Sequence, residues 1–70
     1  MRWQYCIYKE MGAKRTIDYC DAKGPQLVES KTTSEVLRKL GFERWELVSI
    51  FSNVPLEPSL IYCFERPATQ

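Results

Sequence analysis

The 70 residues contain no histidine, the side chain that most often serves as general base or neutral metal ligand. Cysteine is scarce and dispersed. Cys6, Cys20 and Cys63 form no Cys-x-x-Cys pair, and their odd number does not describe a disulfide framework. A zinc site needs four ligands, so three cysteines without histidine fall short, and no metal is expected. Glycine is limited to Gly12, Gly24 and Gly41, each standing alone, so no phosphate-cradling loop can be assembled. No apolar run approaches the ~18 residues of a membrane span. The opening Met1-Arg2-Trp3-Gln4-Tyr5 has neither the charged region nor the apolar stretch of a secretion signal, which leaves a cytoplasmic location as the expectation. Net charge is only +1, without the basic excess of a dedicated nucleic-acid binder.

What is present describes a globular domain. Hydrophobic residues make up 44% of the chain and charged residues 27%, an ordinary balance that excludes wholesale disorder. At this length a single domain buries only ~60% of the surface its unfolded chain exposes, so reinforcement by oligomerisation is a natural expectation. Trp3 to Tyr8, rich in aromatic and β-branched residues, reads as a strand. A turn at Lys9–Lys14, with Gly12 able to take positive φ, leads to a second strand over Arg15–Cys20. Asp21–Pro25 reads as a loop, and Gln26–Lys31 is ambiguous. Thr32-Thr33-Ser34-Glu35 fits a capping box with Thr32 as N-cap. Val36, Leu37 and Leu40 then share one helical face, and Gly41 supplies the stop. Trp45–Phe51 is the strongest strand, and Ser52–Pro58, with two prolines, is a loop. Leu60–Arg66 is the last strand. The expected fold is therefore α+β: a small antiparallel sheet of three to four strands with one helix packed on one face, in the order β-β-α-β-β. The domain spans residues 1–67, and 68–70 form a frayed tail.

Three segments resemble a small bacterial and phage family catalogued as domain of unknown function 4177. They are Trp3-Gln4-Tyr5-Cys6-Ile7, the longer Leu37-Arg38-Lys39-Leu40-Gly41-Phe42-Glu43-Arg44-Trp45-Glu46-Leu47-Val48-Ser49, and Tyr62-Cys63-Phe64-Glu65-Arg66-Pro67. Together they cover about half the chain. The middle segment is similar to that family's helix end, glycine turn and Trp-Glu-Leu-Val strand. The family usually has glycine just before the tryptophan, where this chain has Arg44, and a bulky residue there argues against a positive-φ turn. The resemblance implies a sheet-plus-helix fold and carries over no catalytic residues.

Alternation along the strands sets Trp3, Tyr5 and Ile7 on one face with Trp45, Leu47, Phe51, Leu60, Tyr62 and Phe64, under the helix. Cys6, Tyr8, Val48, Ile50, Ile61 and Cys63 then share the opposite face. That face is too apolar to meet water, so it is the expected oligomer interface. The alternative is that Asp21–Lys31 folds over it. Glu46 falls on this second face as well, where a cross-strand ion pair with a base is expected. No nucleophile, base or acid pair can be assembled, so an enzyme is not expected and no cofactor is implied. Bases cluster as Lys9, Lys14 and Arg15 at the first hairpin and as Arg38, Lys39 and Arg44 at the helix end. Their bland reading is a solvated surface. Their functional reading is a pocket for a small anionic ligand such as a nucleotide, built from Arg15, Tyr8, Lys14, Arg38, Arg44 and Trp45 where subunits meet. The expected function is a homo-oligomeric, non-enzymatic binding protein. The alternative is a protein–protein adaptor using its sheet face or an edge strand. No membrane partner is expected, and no long nucleic acid.

Overall fold

A computed structural model describes residues 2–29, 32–52 and 59–68. The protein is α+β, with one helix on a five-stranded antiparallel sheet. The elements are β1 (Trp3–Met11), β2 (Lys14–Asp18), β3 (Pro25–Leu27), α1 (Thr33–Phe42), β4 (Glu46–Ser52) and β5 (Ser59–Pro67). Across the sheet the order is β3-β2-β1-β5-β4, so the two longest strands lie at the centre. None of the described helices is long and apolar enough to cross a membrane. The loop expected over Ser52–Pro58 falls mostly on residues 53–58, outside the described residues, as does the end of the expected tail. Ala68 is not frayed: its N–H donates to the Arg2 carbonyl at 2.9 Å, continuing the β1–β5 ladder.

The first turn is tighter than the sequence indicates. β1 runs on through Met11, which pairs with Lys14, leaving only Gly12 and Ala13 to reverse the chain. Gly12 has φ +61° and Ala13 does not share the positive sign, the sign pattern of a type II′ hairpin turn. β3 is the strand that sequence reasoning missed. Three residues give no periodicity, and Leu27 pairs with Thr16 only because β2 presents a free edge. This pairing also removes the possibility that Asp21 to Glu29 roofs the sheet, since the segment extends the sheet sideways instead.

The helix starts as its sequence dictates. The Thr32 hydroxyl accepts from the Glu35 N–H at 3.2 Å and donates to the Glu35 carboxylate at 3.2 Å. Its end differs from expectation. Gly41 remains helical, the helix runs to Phe42, and Arg44 takes the left-handed conformation at φ 70°. The Trp45 N–H donates to the Leu40 carbonyl at 2.9 Å and the Arg44 N–H to the Gly41 carbonyl at 3.0 Å, a Schellman cap. The turn that Arg44 argued against is therefore made by Arg44 itself. It swings Trp45 back under the helix, where Trp45 is only 6% exposed.

The core lies between α1 and β2, β1 and β5. It comprises Cys6, Tyr8, Ile17, Val36, Leu40, Trp45, Tyr62 and Phe64. Directly opposed residues of an antiparallel pair share a face. Cys6 faces Phe64, and Tyr8 faces both Tyr62 and Ile17, so these form the helix side. Tyr8 and Tyr62 stack with ring centroids 5.2 Å apart. The expected face assignment is thus reversed for β1. Cys6 and Tyr8 are fully buried under the helix and cannot lie at an outer interface, while Trp3, Tyr5 and Ile7 point to the uncovered side. Alternation fixes which residues go together but not which set the helix covers.

Candidate functional site

Three features stand out: the uncovered face of the sheet, the edge strand β4, and a cleft at the Trp45 end. On the uncovered face Trp3, Tyr5 and Ile7 of β1 lie beside Ile61 and Cys63 of β5 and Phe51 of β4. Tyr5 is 53% exposed and Phe51 50%, and Trp3 and Ile7 are exposed as well. Charged neighbours interrupt the patch. Glu46 stands directly opposite Glu65, so the expected cross-strand partner of Glu46 is a like charge and not a base. Of the residues expected to form an interface, Ile61 and Cys63 do lie on this face and are partly exposed.

β4 holds Val48 and Ile50 in a different way. Leu47 opposes Phe64 and Ser49 opposes Cys63, so a β-bulge absorbs Val48 between them. Beyond it the alternation is inverted. Ile50 opposes Tyr62 on the helix side, and not on the uncovered face as expected. The helix does not reach this far. Every residue of β4 is exposed, including Leu47, Val48, Ile50 and Phe51.

At the other end of the core, Arg66 lies over the Trp45 ring with its guanidinium carbon 4.1 Å from the ring centroid. Its Nε donates to Gln4 Oε1 at 2.8 Å, and its terminal Nη1 donates to the Glu43 carbonyl. Tyr19 packs on Trp45 with centroids 6.1 Å apart. Two clefts, of about 660 Å³ and about 760 Å³, flank this stack and share Gln4, Glu43, Trp45 and Arg66. Arg44 borders the first and Cys20 the second. These are the two non-glycine residues with positive φ, so the strained backbone of the described chain gathers here. Glu43 and Glu46 offset Arg44 and Arg66 in the first cleft, and Asp21 joins Glu43 in the second, so neither cleft is cationic on balance. Sequence reasoning sets Arg66 beside Arg2 at a strand end and does not bring it together with Gln4. Arg66 and Gln4 meet across the β1–β5 ladder, and only that register reveals the pair.

The residues expected to hold an anion do not converge within one subunit. Lys14 and Arg15 sit at the hairpin end of the sheet, opposite Met11 and Glu10. Arg44 and Trp45 sit at the far end, near Gln4 and Arg66, some ~20 Å away along the strands. Arg38 is exposed on the outer side of the helix. Tyr8 is closed in the core, and burial of its hydroxyl raises the phenol pKa. That hydroxyl, Arg15 Nε and Trp45 Nε1 are buried polar atoms with no hydrogen-bond partner among the described residues.

The three thiols are free. Burial pushes the Cys6 thiol up to about 12, with Cys20 and Glu43 adding to the rise, so it remains an inert neutral group. Cys20 is exposed, and its pKa is raised by local desolvation and then by Asp18 and Asp21. Among the described residues no cluster of cysteine and carboxylate groups could hold a metal ion. Compared with protein-family models, curated proteins and solved structures, the chain matches none of them.

Proposed function

We propose that this chain is a non-enzymatic binding module that works as a homo-oligomer, packing copies together through the uncovered face of its sheet. The observation that carries the reading is the row of half-exposed Trp3, Tyr5, Ile7 and Phe51 on that face. Together such side chains expose an apolar area on the order of a few hundred Å², the size at which surface patches mark interaction sites. Aromatic residues of this kind dominate the energetics of protein interfaces. A cytoplasmic setting belongs to the same reading, supported by three unpaired thiols.

The module's ligand, in this reading, is a small anion such as a nucleotide held where subunits meet. One subunit keeps Lys14, opposite Met11 on the uncovered side, at one end of the sheet and the exposed Arg44 at the other. Two copies packed face to face with opposed strand directions bring unlike ends together, which one copy cannot do. A protein adaptor is the competing reading, and the exposure of β4 is what favours it.

Sedimentation at micromolar concentration tests the assembly. The wild-type chain sediments as an oligomer, and Tyr5→Lys, whose side chain is off the core, dissociates it without loss of circular dichroism. A wild-type chain that stays monomeric would falsify this reading. Thermal-shift measurement with nucleotides at millimolar concentration tests the ligand, with stabilisation expected for the wild type and lost in Arg44→Ala.

A further inference from the structure

The two edges of the sheet are built differently. β3 closes one edge with three residues that begin at Pro25, and so offers almost no ladder to a newcomer. β4 closes the other with seven residues and contains neither proline nor lysine. Its middle is apolar on both faces: Leu47 and Ile50 point to the helix side, Phe51 points to the uncovered side, and Val48 sits in the bulge. Its one internal defence is that bulge, since Glu46 stands at the strand's end. A long, exposed, apolar edge of this kind is a template for another strand.

We infer that β4 pairs with β4 of a second copy, antiparallel about a two-fold axis, to make one continuous ten-stranded sheet. The inference rests on the reading above only in requiring a homo-oligomer; it uses a different surface. Because β3 is blunt, like edges are the pair this chain offers, and a like-to-like contact closes after two copies instead of growing into a filament. The alternation beyond the bulge fits self-pairing. With the axis at Ile50, that residue meets its own copy on the helix side, and Ser49 meets Phe51 on the uncovered side. A net charge of +1 sets up little repulsion between copies. Phe51 is 50% exposed and Ile50 51%, and Leu47 and Val48 are similar. Half of the ~150–250 Å² of an aromatic residue, with comparable fractions of three aliphatic ones, gives roughly 300–400 Å² of apolar surface per copy. The newly paired backbone and neighbouring Leu60 add to it. A standard interface buries ~800 Å² per partner, so the pair falls among small, weak dimers that form as concentration rises.

Sedimentation of Ile50→Lys and Val48→Lys from micromolar to high-micromolar concentration tests it, with circular dichroism as the check on folding. The expected result is a folded protein whose edge-paired dimer is weakened about tenfold or more. Variants that are folded and assemble like the wild type overturn the inference. Dissociation by Tyr5→Lys alone would leave the face-to-face reading standing and remove this one. Dissociation by Ile50→Lys alone would do the reverse. Should both lysine variants unfold, amide hydrogen exchange on the wild type decides. β4 amides gain protection as protein concentration rises if the strands pair, and concentration-independent exchange in β4 overturns the pairing, as would capture of a foreign strand by a chain that never pairs with itself.

Discussion

Arg44 is where local chemistry and fold disagree most openly. A left-handed residue after a helix is ordinarily glycine, because a Cβ there meets the neighbouring carbonyl at a cost of ~1–2 kcal/mol. The cap is nevertheless complete, since it sends Trp45 into the core and leaves Arg66 stacked on its ring. Arg44→Gly should therefore stabilise the domain by ~1 kcal/mol, raising Tm by roughly 4–8 °C, as read by thermal unfolding. A fall in Tm would mean that the arginine side chain contributes more than its backbone costs. Cys6 gives the pH counterpart. Its thiol is neutral in the folded protein up to about 12 but ionises near its ordinary 9.0 once the chain unfolds. Stability from this group is thus complete below pH 9 and declines as pH rises toward 12, by about 1.4 kcal/mol per unit. Burial raises the Tyr8, Tyr19 and Tyr62 phenols in the same direction. Urea unfolding at pH 8 and pH 10.5 should show a lower midpoint at the higher pH, and Cys6→Ala should flatten that slope.

Among the elements, β4 carries the least favourable pairing. Glu46 opposes Glu65 on the uncovered face, a like-charge cross-strand pair. Glu46→Lys converts it into an opposite-charge pair and should stabilise the fold by ~0.2–1 kcal/mol, an effect that shrinks as salt is added. An equal effect at high salt would show that charge is not its origin. This pair also marks where the sequence stops being legible. The capping box at Thr32, the helical stripe of Val36 and Leu40, and the strand over Trp45–Phe51 are local signals, and each coincides with an element of the fold. β3 was invisible because three residues hold no pattern, and the end of α1 was misplaced because Gly41 looks like a cap while Arg44 performs as one. The faces of β1 and β4 were misassigned for one shared reason. Alternation groups residues by parity, but the helix position and the Val48 bulge decide which parity is buried, and both are properties of the assembled sheet. The same limit applied to the site, since Gln4 and Arg66 are 62 positions apart in sequence and meet only through the ladder.

At the scale of the whole molecule, one ten-residue helix must shelter a five-stranded sheet. It covers β2, β1 and β5 and leaves β4 open on both faces along with the reverse side of β1. A domain this short has little stability to spare. Its folded state should accordingly be coupled to association by mass action, whichever of the two surfaces the copies use. The folded oligomer then gains on the unfolded monomer as concentration rises, and Tm should climb by roughly 3–6 °C for each tenfold increase in protein. Differential scanning calorimetry over a hundredfold range of concentration reads this directly. Combining Tyr5→Lys with Ile50→Lys removes both surfaces from the assembly while leaving the core of Tyr8, Leu40, Trp45 and Phe64 intact. In that double variant Tm should be lower and independent of concentration. A wild-type Tm that does not move across the whole range would show that the helix-covered core suffices by itself, and that the apolar side chains left outside it serve a partner other than this chain.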